Sequence, residues 1–250
     1  MYIFGGSNGT TYHNELYVLD LNTYHWTKPE ITTKIQPGAR RAHAAVTVGK
    51  KIYFIGGGNG KEALNETWLL DTTQLTWELL KCSGTLPAPR GYCSHSLYID
   101  KIYIYGGSDG NECFSEIFCL DISTLVWSKK KINTTAGCTV SCFSQSASMI
   151  GNSMIVFGGH SANENINELK IVTLDNKMES VEMGYKPCTG IPPQPRSYHT
   201  ASYLDSRLYI FAGCGDQIIY NDVWVLDLGI YSLLASPFYL SSVVNSSQNK

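Results

Sequence analysis

The chain has 250 residues, 43% of them hydrophobic, which is enough for a sizeable core and excludes a disordered chain. Nineteen Lys and Arg against 21 Asp and Glu give a net charge of −2, with no excess to hold a phosphate backbone or an anionic membrane, so neither nucleic-acid binding nor membrane insertion is expected. Charged residues are only 16%, below the ~25% usual in globular chains, while 16 Tyr and 23 Gly indicate β-structure with many turns, so the composition reads as all-β.

The chain opens on Tyr2-Ile3-Phe4-Gly5-Gly6, with no basic segment, apolar stretch and cleavage site to direct secretion. The same apolar run ending in a diglycine returns before Gly56-Gly57, Gly106-Gly107 and Gly158-Gly159, and once more before Ala212-Gly213. The first position of each pair falls at 5, 56, 106, 158 and 212, so a unit of about 50 residues accounts for the length five times over. After each diglycine comes an acidic pair and an apolar run closed by Asp: Asn14-Glu15 to Asp20, Asn65-Glu66 to Asp71, Ser115-Glu116 to Asp121, Asn167-Glu168 to Asp175 and Asn221-Asp222 to Asp227. Each of these runs reads as a buried strand followed by a turn residue. Six residues further on stand Trp26, Trp77 and Trp127. Upstream of the diglycines, Pro37-x-x-Arg40-x-x-His43, Pro87-x-x-Arg90-x-x-Cys93 and Pro193-x-x-Arg196-x-x-His199 share one offset; the fourth copy has Cys142 and Gln145 there and no Trp. The predicted repeat units are about 1–36, 37–86, 87–138, 139–192 and 193–250, in one domain spanning 1–250, with four strand-like runs per unit and no helical period.

A four-stranded sheet repeated five times cannot bury both faces alone, and radial stacking of such sheets gives a β-propeller whose strand edges stay short and protected. The diglycine runs, Asn-Glu-Leu-Tyr-Val-Leu-Asp, the Trp and Pro-x-x-Arg-x-x-His together resemble the kelch repeat, over residues 1 to about 236. The blade spacing is most similar to kelch proteins of the Rab-effector, cell-polarity and leucine-zipper-like types, and no BTB domain is seen in the chain. The resemblance implies a propeller of about five blades. The first unit lacks its own first strand, so a closed ring would need the C-terminal segment, Phe238-Tyr239-Leu240 or Ser242-Val243-Val244, to complete it; the alternative is a fragment of a six- or seven-bladed protein.

Features that recur between copies are expected to serve the blade. These are Gly5, Gly6, Gly56, Gly57, Gly106, Gly107, Gly158, Gly159 and Gly213, where a Cβ would obstruct a bend or close approach, and Trp26, Trp77 and Trp127 as fillers between sheets. The repeated acids are expected to satisfy a turn or a blade arginine. Features that vary are free to serve a ligand. The loops after the diglycines and the segments entering the next blade share one face, which collects Tyr12, His13, Asn59, Lys61, Asp109, Asn111, His160, Asn163, Asp216, Gln217 and Tyr220. Arg40, Arg90 and Arg196 carry two readings. They bond loop carbonyls or a blade acid, or, as the resemblance to kelch proteins that recruit acidic peptides implies, they grip carboxylates of a partner. Arg41, outside the repeated register, is a further anchor candidate.

No phosphate-cradling glycine loop, His-Glu-x-x-His site or Gly-x-Ser-x-Gly elbow occurs, nor the Glu-x-x-x-Asp-x-x-x-His iron motif of the specifier-type kelch proteins, and nothing marks the Tyr and His ligands of a galactose-oxidase-like copper. Eight Cys without a Cys-x-x-Cys pair read as free thiols. The expectation is a non-catalytic scaffold or adaptor without cofactor or metal, cytoplasmic or nuclear, binding another protein through the loop face. A cytoskeletal role and a metal-dependent propeller enzyme are the alternatives.

Overall fold

The computed structural model describes residues 1–135, 143–161, 163–175, 177–229 and 238–242, and these form strands, turns and loops. The chain divides into two compact units, Met1–Glu112 with Phe118–Lys129, and Cys113–Ile117 with Lys130–Lys250. Among the described residues no helix is long and apolar enough to cross a membrane.

In the first unit, β1 (Tyr2–Phe4), β2 (Leu16–Leu19) and β3 (Trp26–Thr27) make a three-stranded antiparallel blade. A second blade is β4 (Ala44–Val48), β5 (Lys51–Ile55), β6 (Thr67–Asp71) and β7 (Thr76–Leu79), in chain order. A linker strand, β8 (Ser83–Gly84), precedes the third blade, β9 (Ser94–Tyr98), β10 (Lys101–Tyr105), β11 (Ile117–Asp121) and β12 (Val126–Thr134), of which Ile117 and residues 130–134 fall in the second unit. In the second unit the fourth blade is β13 (Ser146–Ile150), β14 (Ser153–Phe157), β15 (Leu169–Leu174) and β16 (Ser180–Tyr185). After the linker strand β17 (Cys188–Thr189), the fifth is β18 (Thr200–Leu204), β19 (Arg207–Phe211), β20 (Val223–Asp227) and β21 (Phe238–Ser242).

The sequence reading offered the C-terminal segment as what would complete the first blade of a closed ring, with a fragment of a larger propeller as the alternative. Instead β21 pairs antiparallel with β20, Leu226 opposite Leu240, and so is the outer strand of the fifth blade; Val243 and Val244 lie outside the described residues. Short parallel additions also escaped the four-strand expectation. Thus β8 adds to β12 through Ser83 and Val126, the end of β12 adds to β16 through Lys131 and Ser180, and β17 adds to β21 through Cys188 and Phe238. Each entering segment thereby covers the open edge of the blade's last strand.

The core lies between blades. Along β5, Ile52 and Phe54 pack toward the first blade with Phe4, Leu16 and Trp77, while Tyr53 and Ile55 pack toward the third with Ile102, Ile104, Phe118 and Trp127. Two-sided burial explains the unbroken apolar run before each diglycine, because alternating side chains reach opposite neighbours. Trp77 sits 4.9 Å from the Phe4 ring and 5.0 Å from Phe54, filling the gap toward the preceding blade, and Trp127 is buried in the same way. Trp26 departs from the expectation. It is 48% exposed. In the second unit Phe157, Leu169, Leu208, Ile210 and Leu226 form the equivalent core.

The last Asp of each unit caps its turn: Asp71 Oδ1 accepts from the Thr73 and Gln74 amides at 2.8 and 3.0 Å, and Asp121 Oδ1 from those of Ser123 and Thr124 at 3.0 and 3.1 Å. The diglycine ties consecutive blades. Gly57 N donates to the Arg90 carbonyl at 2.9 Å, and a Cβ on Gly56 would stand 2.5 Å from that same oxygen. Both glycines have positive φ, +63° and +94°, so the pair is required by conformation as well as by space.

Candidate functional site

The motif arginines are inside the blades. Arg40 is 2% exposed; its Nε donates to the Gly38 carbonyl at 3.0 Å, Nη1 to Gly56 at 3.3 Å and Nη2 to Glu66 Oε2 at 2.7 Å. Arg196 repeats the pattern on Gln194, Ala212 and both carboxylate oxygens of Asp222, with the Tyr220 ring 4.1 Å away. Arg90 donates to the Ala88 and Gly106 carbonyls and lies 5.2 Å over Phe118. In two blades an indole shares the acid: Trp68 Nε1 donates to Glu66 at 2.9 Å and Trp224 Nε1 to Asp222 at 2.8 Å. Of the two readings open for these arginines, the geometry favours the structural one, since all three are buried and bond blade carbonyls, and Arg40 and Arg196 also pair with an acid.

Arg41 is different. It is exposed, and its guanidinium lies 5.3 Å from the Tyr12 ring and 6.0 Å from Tyr92. Its main chain is fixed by a bridge to Gly58, N to O 3.0 Å and O to N 2.9 Å, which leaves the side chain as the adaptable part. The surrounding cleft, about 240 Å³, belongs to the first unit and takes in loops of its three blades, with Tyr12, Arg41, Lys61, Glu62, Tyr92 and Asp109 as its polar and aromatic lining. Tyr12 closes on Gly60, whose φ is +89° and whose missing Cβ would stand 2.7 Å from the ring.

Several loop candidates prove to fold their own loops. Asn59 Oδ1 accepts from the Lys61 and Glu62 amides at 2.9 and 3.0 Å, and Asp109 Oδ1 from those of Asn111 and Glu112 at 2.8 Å each. The Glu112 and Asn111 amides hold the Asp109 carboxyl below the usual carboxylate range. Asn111 is exposed beyond this turn, and His13 faces a separate cavity beside Glu15. In the second unit Tyr220 is committed to Arg196, His160 bonds the Ser161 carbonyl, Asp216 accepts from Asn165 at 2.7 Å, and Asn163 and Gln217 are exposed. Among the described residues no group of three His, Cys, Asp or Glu could hold a metal ion, and Cys82, Cys93, Cys113, Cys119, Cys188 and Cys214 are free thiols.

Sequence reasoning missed Tyr92. It follows the motif arginine by two, where Ala42, Tyr92, Ser144 and Tyr198 all adopt a left-handed backbone, φ from +56° to +59°, uncommon for residues other than glycine. The signal was present, because the position between Arg and His varies within an otherwise repeated frame.

The profile of the KLHDC2/KLHL20/DRC7 Kelch-repeats domain matches residues 1–144 and 130–236. The chain belongs to the kelch-repeat family. Kelch domain-containing protein 3 of Rattus norvegicus is 29% identical over 250 residues, covering 93% of this chain and 50% of that protein. Acyl-CoA-binding domain-containing protein 4 of Arabidopsis thaliana is 30% identical over 240 residues, 91% of this chain and 28% of that one. The leucine-zipper-like transcriptional regulator 1 homolog of Drosophila melanogaster is 27% identical over 213 residues, 82% and 16% of the two chains. This kelch chain therefore spans half or less of the length of these relatives. Its fold is the kelch β-propeller, and the family is one of protein-interaction domains.

Proposed function

We propose that this kelch chain is a non-catalytic adaptor that takes a short carboxylate-bearing segment of another protein in the Arg41 cleft. The observation that carries the reading is the seating of Arg41: its exposed guanidinium stands 5.3 and 6.0 Å from two tyrosine rings, and its planar fork suits a bidentate acceptor. Lys61 adds a second cation on the rim, while Glu62 and Asp109 place two carboxylates on the same lining. Both signs are thus present, so the cleft favours one carboxylate on Arg41 flanked by neutral or basic residues, and a run of acids would meet like charge.

The test is a peptide array of single-Asp and single-Glu segments beside polyacidic and neutral ones, read by fluorescence anisotropy on the chain and on Arg41→Ala. Selective binding of single-carboxylate peptides, lost in Arg41→Ala at unchanged melting temperature, is expected. Equal binding by the variant would sink the reading.

A further inference from the structure

The first three blades carry one kind of dipeptide at the tip of the loop after the diglycine: Asn8-Gly9, Asn59-Gly60 and Asp109-Gly110. In each, the side-chain Oδ1 accepts from the amides two and three residues on. The donors are Thr10 and Thr11 at 3.1 and 2.8 Å for Asn8, Lys61 and Glu62 at 2.9 and 3.0 Å for Asn59, and Asn111 and Glu112 at 2.8 Å each for Asp109. Two donors on a carbonyl oxygen draw charge from its carbon and stabilise an oxyanion there, so the Asn8 and Asn59 carboxamides are both polarised toward attack at Cγ. The next residue is an exposed glycine in every case, and no Cβ shields its amide nitrogen.

The three tips differ at that nitrogen. Gly9 N donates to Ser7 Oγ at 3.1 Å and Gly110 N to Ser108 Oγ at 3.0 Å. The second blade has Gly58 in the serine's place, and among the described residues no protein group accepts from Gly60 N. Asn59 therefore combines a polarised carboxamide with an untethered neighbouring nucleophile, whereas Asn8 has only the first.

We propose that Asn59 is a site of spontaneous deamidation whose acidic product weakens the Arg41 cleft. The Gly60 amide nitrogen gives up its proton to solvent and attacks Asn59 Cγ. The N–Cγ bond forms, the Cγ–Nδ2 bond breaks, and ammonia leaves with a proton taken from water, so a five-membered succinimide closes. Water then adds to one of the two imide carbonyls and gives aspartate or isoaspartate at position 59, with no change of oxidation state. The aspartate product has a precedent inside the chain: Asp109 folds the same turn in the third blade, and the Glu112 and Asn111 amides hold its carboxyl below the usual range. An ionised carboxylate at position 59 is flanked by Gly58 and Gly60 of the cleft lining and adds like charge to Glu62 and Asp109, so it opposes a carboxylate ligand. That consequence rests on the carboxylate reading of the Arg41 cleft; the modification itself does not.

The test incubates the intact chain in mildly alkaline buffer over days and maps it by proteolysis and mass spectrometry, reading the amide-to-acid mass gain at each asparagine. Deamidation of Asn59 should run about fivefold faster than that of Asn8, the effect of one hydrogen bond on the nucleophile, although Asn8 is the more exposed of the two. Gly58→Ser should slow Asn59 to the rate of Asn8, and the backbone has room for it, since a Cβ there meets only the Glu62 carbonyl at 3.6 Å. Ser7→Ala should speed Asn8. In urea, where both are plain Asn-Gly pairs, the two rates should converge. Equal rates in the folded chain, a faster Asn8, a difference that survives in urea, or Gly58→Ser without effect would each overturn the proposal. Asn59→Asp, at unchanged melting temperature, should weaken single-carboxylate peptides about two- to fivefold by anisotropy. Wild-type affinity in that variant would sink the effect on the cleft. No peptide binding by the wild-type chain would count against the Arg41 reading, with the mass-spectrometric rates still deciding the modification.

Discussion

Arg196 and Asp222 meet through two parallel contacts, Nη1 to Oδ1 at 2.5 Å and Nη2 to Oδ2 at 2.9 Å, and Arg196 is fully buried. Removing the arginine leaves a carboxylate, the Ala212 carbonyl and a sealed hole together. Arg196→Ala should therefore cost about 3 kcal/mol, the lower end for a broken buried pair, since Asp222 keeps some contact with water. Arg41→Ala, on the surface, should stay within about 0.5 kcal/mol. Urea unfolding followed by tryptophan fluorescence compares the two, and equal midpoints would show that the motif arginines are not structural.

Acid should weaken the fold in two stages. His43, between Phe4 and Phe54, and His199, against Phe157, are pushed down to about 4 by burial, so both are neutral in the folded chain. A base whose folded value is depressed contributes fully above its unfolded value, and that contribution falls as pH drops from about 6.5 to the folded value. Between pH 7 and 5 the loss should be about 2 kcal/mol per histidine, and His43→Phe should flatten the profile over that window. The second stage lies below about pH 4, where Asp222, held low by its bond from Arg196, and Glu66, held low by its bonds from Arg40 and Trp68 against an opposing burial effect, begin to protonate. Melting temperatures across pH 3 to 8 test both stages.

The indoles should separate sharply. Trp77→Ala opens a cavity between the Phe4 and Phe54 rings and should cost about 3–5 kcal/mol, whereas half-exposed Trp26→Ala should cost under about 1 kcal/mol. Comparable losses for the two would show that Trp26 has a packing partner of its own.

The blades were legible because a repeat inside one chain prints its structural requirements several times. Glycines at positive φ, turn-capping Asp and the acid partners of arginine all return at fixed offsets. The linker strands β8 and β17 were not legible, since two residues carry no period. The outer strand of the fifth blade was misplaced because residues 238–242 follow a segment without the repeat's Trp, and pairing partners are set by tertiary register. At the candidate site the loops drew attention as variable, yet Asn59 and Asp109 serve their turns, while Tyr92 stood unnoticed inside the motif.

The cleft ties these points to a fourth expectation, at Gly60. A methyl group there would meet the Tyr12 ring at 2.7 Å, and φ of +89° is poorly tolerated by alanine, so Gly60→Ala must move the loop, the ring or both. The Arg41 guanidinium then loses one of its two covering rings, an interaction of about 0.5–1 kcal/mol at an exposed site. Peptide binding should fall about two- to fivefold in Gly60→Ala and by a similar factor in Tyr12→Ala, whereas Tyr12→Phe, which keeps the ring, should bind like wild type. Anisotropy titrations of the three variants make the comparison. If Tyr12→Phe were as weak as Tyr12→Ala, the hydroxyl would be the contact, and Tyr12 would act by touching the peptide and not by holding Arg41.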